Sequence, residues 1–460
     1  MNKEKMKALL SDPLRGMLMH RLCKKGMAAL GAAMLAVYYA LLLKLCGAMQ
    51  GAAVIAAIGT LGATILMAFA FGALSKEDVP VIMLLCVGAM GMLAVGAHLA
   101  LLDIKPGRYG KVLEPLMNDM WNYDLLTGMA WEDGSWTGVY LIICALLSRV
   151  ETFYHLYAFK LVDLICQCIA AGAVLRLAMQ RGTKVYGALA AMFVCMLMPT
   201  MLMNAGVWAH CDATFAMFTL WGLALLVDDR PMAGCILWGV ALATKLQSAF
   251  LFPLLIVLFM GNRVQLRHLF ALIAAFFLCH LPVLLDGQGL MNVITRYAMQ
   301  LDVARWETVG LSDNMPNVYE LMLVASTREF SGMGLYLGIA SALLTVTALL
   351  RMKKPMTSDI LLLSALLLAC GLPLVLPQMN ARSLYLAIML GFACAGNARR
   401  MTAAALMEFV SLCAYMKSIF SFDVVPMMAL SLLAIAAAVL VLLELVKAIR
   451  VEENKEAHCA

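Results

Sequence analysis

The sequence predicts an all-α, polytopic membrane protein of about fourteen transmembrane helices. Three observations carry that expectation. The 460 residues are 64% hydrophobic and only 13% charged, with a mean hydropathy of +0.90, whereas a soluble domain is about 45–50% apolar and about 25% charged. Apolar runs long enough to cross a hydrocarbon core of about 30 Å recur along the whole length. The basic residues gather in alternate connections between those runs. A transmembrane β-barrel is excluded, because its strands alternate apolar and polar over roughly ten residues, and these runs are continuous.

The spans are expected at 26–46, 51–73, 79–102, 152–178, 184–206, 211–228, 231–245, 247–260, 266–285, 334–350, 359–376, 383–397, 402–418 and 425–447. Because 231–245 and 247–260 form a tight pair, the count ranges from 12 to 14. With a cytoplasmic N-terminus, the inward segments carry 22 of the 34 Lys and Arg, as the positive-inside rule requires. Both termini then face the cytoplasm of a plasma membrane, and the outside keeps the two longest loops, 103–151 and 286–333. The chain accordingly divides into a basic cytoplasmic segment 1–25, two spans in 26–78, a central module 79–400, two further spans in 401–450 and a tail 451–460. Segment 1–25 lacks a small-residue cleavage site before the first span. Topogenic charge and attraction to anionic lipid explain it.

Most of the fourteen cysteines lie in apolar spans, and the outer loops offer no convincing pair, so no structural disulfide is expected. The 37 methionines read as core filler. In the first outer loop, "LEPLMNDMWNYDLL" and "WTGVYLIICALLSRV" have apolar residues at helical spacing. They suit two helices lying on the outer leaflet. The second outer loop contains "RYAMQLDVARWETVGLSDNMPNVYELM", rich in polar and aromatic groups. No internal repeat is recognisable.

A charge at mid-bilayer costs about 2.5–3.5 kcal/mol on insertion scales, so such residues face a cavity or a partner. Three outer helix ends each offer a polar cluster: Trp208, His210 and Asp212; Lys245 and Gln247; Gln378, Asn380 and Arg382. Snorkelling to the interface is the plainer alternative for these. Lys160 and Asp163 share a helical face within a span, which also fits a buried ion pair. His210-Cys211-Asp212 invites a metal reading. Consecutive residues diverge by about 100° on a helix, however, and helical chelates use i, i+3 or i+4 spacing. No metal and no other cofactor is expected.

In order and spacing, several of these motifs resemble those of the GT-C membrane glycosyltransferases that use a polyprenyl-phosphate sugar. The chain is most similar to bacterial relatives of the GPI mannosyltransferases and of the dolichyl-phosphate-glucose glucosyltransferases. "WAHCDAT" parallels a family pattern W-G-Q-x-D, with Trp208 and Asp212 kept and His210 in place of glutamine. Gly239, Ala241, Lys245, Gln247 and Pro253 follow a second pattern, and Asn314, Pro316, Asn317 and Tyr319 a third. Lys160 and Gln300 complete the set of candidate donor-binding residues. The resemblance covers about 79–400. It departs from the family twice: Arg108 stands where the first outer loop usually carries a catalytic aspartate, and Asn380-Ala381 replace a His-Glu pair before Arg382.

The resemblance implies an inverting transfer on the outer face of a bacterial plasma membrane. A mannose- or glucose-type hexose passes from the lipid-linked donor to a glycan, lipid or protein acceptor. A carboxylate must accept the acceptor's proton, and cations must meet the charge that develops on the departing phosphate. Lys245 and Arg382 are the phosphate candidates, and Arg108 can also bind an anionic group. Glu114, Asp103 and Asp212 are the candidate bases, with solvation at the interface as the plainer reading of the first two. Two alternatives stand beside this reading: a catalytically inactive relative that binds polyprenyl-linked glycans, and a lipid-linked-glycan flippase or other transporter. Membrane lipids are the further partners, and nucleic acid is not expected.

Overall fold

A computed structural model describes residues 17–107, 109–131, 137–150, 154–300, 311–322, 327–352 and 356–454. The described chain is a helical bundle. Helices α1 (Lys24–Leu45), α2 (Ala52–Leu74) and α3 (Val81–Leu99) lead into the first long loop. That loop folds as a π-helical turn at Tyr109–Leu113, then α4 (Glu114–Asn122), α5 (Leu125–Met129) and α6 (Gly138–Ser148). Next come α7 (His155–Gln180), α8 (Val185–Leu197), α9 (Pro199–Leu202), α10 (Asp212–Val227), α11 (Pro231–Thr244), α12 (Pro253–Met260) and α13 (Leu266–Cys279). The second long loop contains α14 (Leu281–Leu285), α15 (Gly289–Gln300) and a short strand β1 (Ser312–Asp313). The chain closes with α16 (Thr327–Leu350), α17 (Ser358–Val375), strand β2 (Met379–Asn380), α18 (Tyr385–Cys394), α19 (Ala398–Phe420) and α20 (Met427–Asn454).

Among the described residues, eight helices are long and apolar enough to cross a membrane: α1, α2, α3, α7, the Gly332–Leu350 part of α16, α17, α19 and α20. A ninth is reached if α8 and the run Pro199–Val207, bent by 45°, are one span. The bend falls at Pro199, which has no N–H to continue the ladder. Five further predicted spans correspond to shorter apolar helices: α10, α11, Leu246–Met260, α13 and α18. Helix α18 has ten residues, about 15 Å at 1.5 Å per residue and half of a hydrocarbon core. The pair expected at 231–260 is broken by its own polar residue. Lys245 is extended (φ −158°, ψ 133°), and the chain resumes as a 3-10 turn before Pro253 starts α12.

Helix α7 is the axis of the bundle, with 78% of its apolar window buried. Cys166, Ala170, Ala173 and Leu177 pack into a core with α10 and α17 to α20, while Leu161, Leu164, Cys168 and Ala171 pack with α1 to α3. Small residues around its circumference let neighbours approach from every side. Helices α1 and α2 share one core with α3, α7 and α8, and α19 and α20 share the other. The helices expected on the first loop form as α4 and α6. Leu116, Met117 and Met120 of α4 are buried, while Asn118, Asp119 and Trp121 are exposed.

One end of the bundle is tied by charge. Arg400 makes a two-pronged contact with Asp359 at 2.7 and 2.8 Å and reaches Glu444 at 3.0 Å. Arg181 joins the same Asp359 at 3.1 Å, and Arg176 pairs with Asp228. These contacts connect α7, α17, α19 and α20 at one level. The long loops and the candidate site lie at the opposite end.

Candidate functional site

The site is built on the segment that leads into α10. Its preceding turn carries Ala209 in the left-handed region (φ 54°), a conformation that costs a residue with a Cβ roughly 1–2 kcal/mol. Bonds on either side hold it: the Trp208 amide donates to Met203 and the His210 amide to Asn204. The turn brings the Trp208 and His210 rings edge to face at 5.1 Å, and both meet Arg382. The guanidinium carbon lies 5.3 Å from the Trp208 ring centre, and Nη1 is 2.9 Å from His210 Nδ1.

Asp212, the first residue of α10, is the centre. Its Oδ1 takes a bond from Lys245 Nζ at 2.5 Å, and its Oδ2 one from Asn204 Nδ2 at 2.8 Å and one from Arg382 Nη1 at 3.3 Å. The Asn204 amide also donates to the Tyr415 phenol oxygen at 2.8 Å. Donors from three other segments thus meet on one carboxylate whose side chain is only 4% exposed. Asp212, a candidate base, has its oxygens bonded to these donors and is paired with two cations. Lys245 and Arg382 thus share this one carboxylate. Lys245 and Arg382 keep 21% and 14% of their side chains accessible.

The second long loop positions Arg382 from outside. Strand β1 pairs in parallel with β2, Ser312 opposite Met379 and Asp313 opposite Asn380. Asn380 Oδ1 accepts from the Arg382 amide at 3.0 Å, and Gln247 Nε2 donates to Ser383 Oγ at 3.1 Å. Asn317 caps the turn that carries Tyr319, whose phenol donates to Val375 at 2.6 Å. Burial pushes that phenol's pKa up. Gly334 is required beneath it, because a Cβ there would lie 1.9 Å from the Tyr319 oxygen. Asn317, Tyr319 and Gln247 therefore position the Arg382 turn. Tyr319→Phe is expected to lower stability by about 1–2 kcal/mol, since it leaves the Val375 carbonyl unpaired. A denaturation midpoint unchanged from wild type would contradict that role.

Lys160 departs from expectation. It does not pair with Asp163; its ammonium bonds the carbonyls of Leu101, Leu102, Ile104 and Gly206 at 2.6–3.0 Å. Side chains on a helix lean towards its N-terminus. Lys160 thus reaches the loop end, while Asp163, 1% exposed and beside the Ala213 amide, lies deeper. Gly206 allows this closure, because a Cβ would lie 2.6 Å from the Leu101 side chain. With four carbonyls around it, Lys160 is a clamp between α3 and the segment leading to Trp208.

Glu114 and Asp103 form a separate group. Glu114 pairs with Lys105 at 3.1 Å, and that bond holds the Lys105 amine above its ordinary pKa. Asp103 accepts from the Tyr157 phenol. Neither carboxylate bonds to the Asp212 centre. Their layer nevertheless packs directly on it: Tyr109, Leu113 and Met117 share a cluster with Ala209 and Cys211. His210 and Asp212 both meet Arg382, Asp212 also meets Lys245, and Cys211 points into that apolar cluster. Arg108 lies outside the described residues, and Gln300 ends α15 with its side chain outside them.

Asn204 and Tyr415 were not anticipated. A lone asparagine in an apolar run was the available signal for the first. Nothing local marks Tyr415, which lies in α19, more than 200 residues away along the chain. No protein-family model matches the chain, and no curated protein matches it as a relative.

Proposed function

We propose that this chain is an integral membrane glycosyltransferase. It transfers a mannose- or glucose-type hexose from a polyprenyl-phosphate sugar to a lipid, envelope glycan or protein acceptor. The observation that supports this reading is the Asp212 centre: a buried carboxylate shared by two cations, Lys245 and Arg382, that both stay partly accessible. A donor phosphodiester carries one negative charge. When the acceptor hydroxyl attacks the anomeric carbon, the bond from that carbon to the phosphate oxygen breaks, and the leaving polyprenyl phosphate gains a second charge. Lys245 and Arg382 meet charge that grows towards the transition state, and that is the form of binding that accelerates a reaction. The acceptor's proton passes to Glu114, the carboxylate held by Lys105 in the layer against Ala209 and Cys211.

Fourteen crossings complete the reading, five of them made by the shorter helices α10, α11, Leu246–Met260, α13 and α18. Both termini are cytoplasmic, and the Arg181–Asp359–Arg400–Glu444 end faces the cytoplasm of a bacterial plasma membrane. The Asp212 centre then lies at the outer leaflet, level with the phosphate of a lipid-linked sugar.

A second reading, a silent relative that binds the lipid-linked glycan without transfer, has one observation in its favour. The described carboxylates of both groups already have partners: Asp212 its donors, Glu114 its lysine and Asp103 its tyrosine. One experiment separates the two. Purified protein in nanodiscs is supplied with polyprenyl-phosphate mannose or glucose and a lipid or glycan acceptor. Transfer is expected, falling about 10²-fold in Lys245→Met and about 10²-fold in Glu114→Gln. Donor binding without turnover in the wild type decides for the silent relative. Absence of donor binding removes both.

A further inference from the structure

A surface cleft of about 390 Å³ lies beside the Glu114 group and is not used by the chemistry above. Its volume falls in the range of ligand clefts, roughly 300–1,000 Å³. It is lined by Gln50 from the α1–α2 turn, Asn118 and Trp121 from α4, Ser148 from α6, and Tyr154 and His155 at the start of α7. Among the described residues its lining contains no Asp, Glu, Lys or Arg, although Lys105, Glu114 and Arg149 lie close by. Amides, hydroxyls and an imidazole offer both donors and acceptors without a net charge.

The aromatic element is fixed. Arg149 donates to the Trp121 carbonyl at 2.7 Å and to that of Tyr123 at 2.5 Å, and its guanidinium carbon lies 5.6 Å from the Trp121 ring centre. The indole nevertheless remains 42% exposed. Tyr154 is held edge to face against Tyr109 and Tyr157. Glu114, Asn118 and Trp121 follow at i, i+4 and i+7, so one face of α4 runs from the candidate base to the indole.

We infer that this cleft binds a neutral saccharide, with the sugar's C–H face on Trp121 and its hydroxyls on Asn118, Gln50 and His155. The negative face of an indole attracts the weakly positive C–H edges of a pyranose, and the polar groups that the described residues supply suit hydroxyls better than a phosphate or an ammonium. In one respect the inference rests on the glycosyltransferase reading: there the saccharide is the acceptor, presented along α4 to Glu114.

The test is saturation-transfer NMR on the full chain in nanodiscs, with methyl α-mannoside, methyl α-glucoside and mannobiose as probes and glycerol 3-phosphate as the charged comparison. Saturation of the neutral sugars is expected. Apparent affinity should fall about tenfold in Trp121→Ala, remain near wild type in Trp121→Phe, and persist in Lys245→Met. Three results would overturn the inference: no saturation of any sugar, equal saturation in Trp121→Ala, or preference for glycerol 3-phosphate. The transfer assay keeps the two readings apart. Trp121-dependent sugar binding without any transfer leaves the cleft standing and removes the acceptor assignment. Transfer whose acceptor KM does not change in Trp121→Ala removes the cleft and leaves the glycosyltransferase.

Discussion

Asp212→Ala is expected to destabilise the protein by about 3–5 kcal/mol, the cost of removing one partner from a buried ion pair. The carboxylate is 4% exposed and takes bonds from Lys245, Arg382 and Asn204. Its loss leaves two cations facing each other without a counter-charge and strips the Asn204 amide of one acceptor. Unfolding in mild detergent, followed by fluorescence, measures the effect. The charge assignment makes a sharper demand of the double variant. Lys245→Met in the Asp212→Ala background removes the uncompensated cation and should recover part of the loss. A coupling near zero in that cycle would mean that the pair does not interact as drawn.

Lys160→Met ranks with it. Lys160 is 3% exposed, and its ammonium is shared by four backbone carbonyls. An unpaired buried acceptor costs about 1–3 kcal/mol, so a loss of about 3–5 kcal/mol is expected even if the carbonyls partly relax. The damage should be local before it is global. Leu101, Leu102 and Ile104 join α3 to the first long loop, so limited proteolysis should first cut that junction. Lys160→Arg is not expected to restore protection, because a planar fork cannot aim at four carbonyls arranged around a point charge. Protection equal to wild type in Lys160→Arg would argue that any cation suffices. A phosphate-binding role for Lys160 predicts instead loss of donor binding with little change in stability.

The helical class was legible from the sequence because bilayer burial demands it. An apolar run with its backbone bonded internally has no other form in lipid except a closed barrel. The three polar turns were legible for a related reason: Trp208, His210, Asp212, Lys245 and Arg382 interrupt apolar text where charge is costly. Their convergence on one centre follows the expectation that such residues find partners. The roles did not follow. Asp212, marked as a possible base, pairs with two cations and an amide. Lys160 was weighed against Asp163 and instead bonds backbone carbonyls, which no side-chain pattern announces. Tyr319 and Asn317 come from a motif linked to the donor, and they hold the turn that presents Arg382.

What the sequence determined by itself is the class of molecule and the places where polarity breaks into apolar helix. Hydropathy, helical period and the cost of charge in lipid are local properties and can be read along one chain. Only the tertiary structure decided which polar groups meet. Asn204, Asp212, Lys245, Arg382 and Tyr415 come from separate parts of the chain and converge where α10, packed between α7 and α11, begins. The pairing of two cations with one carboxylate exists only after these distances are set. Electrostatic energy depends on separation in space, and separation along the sequence does not determine it.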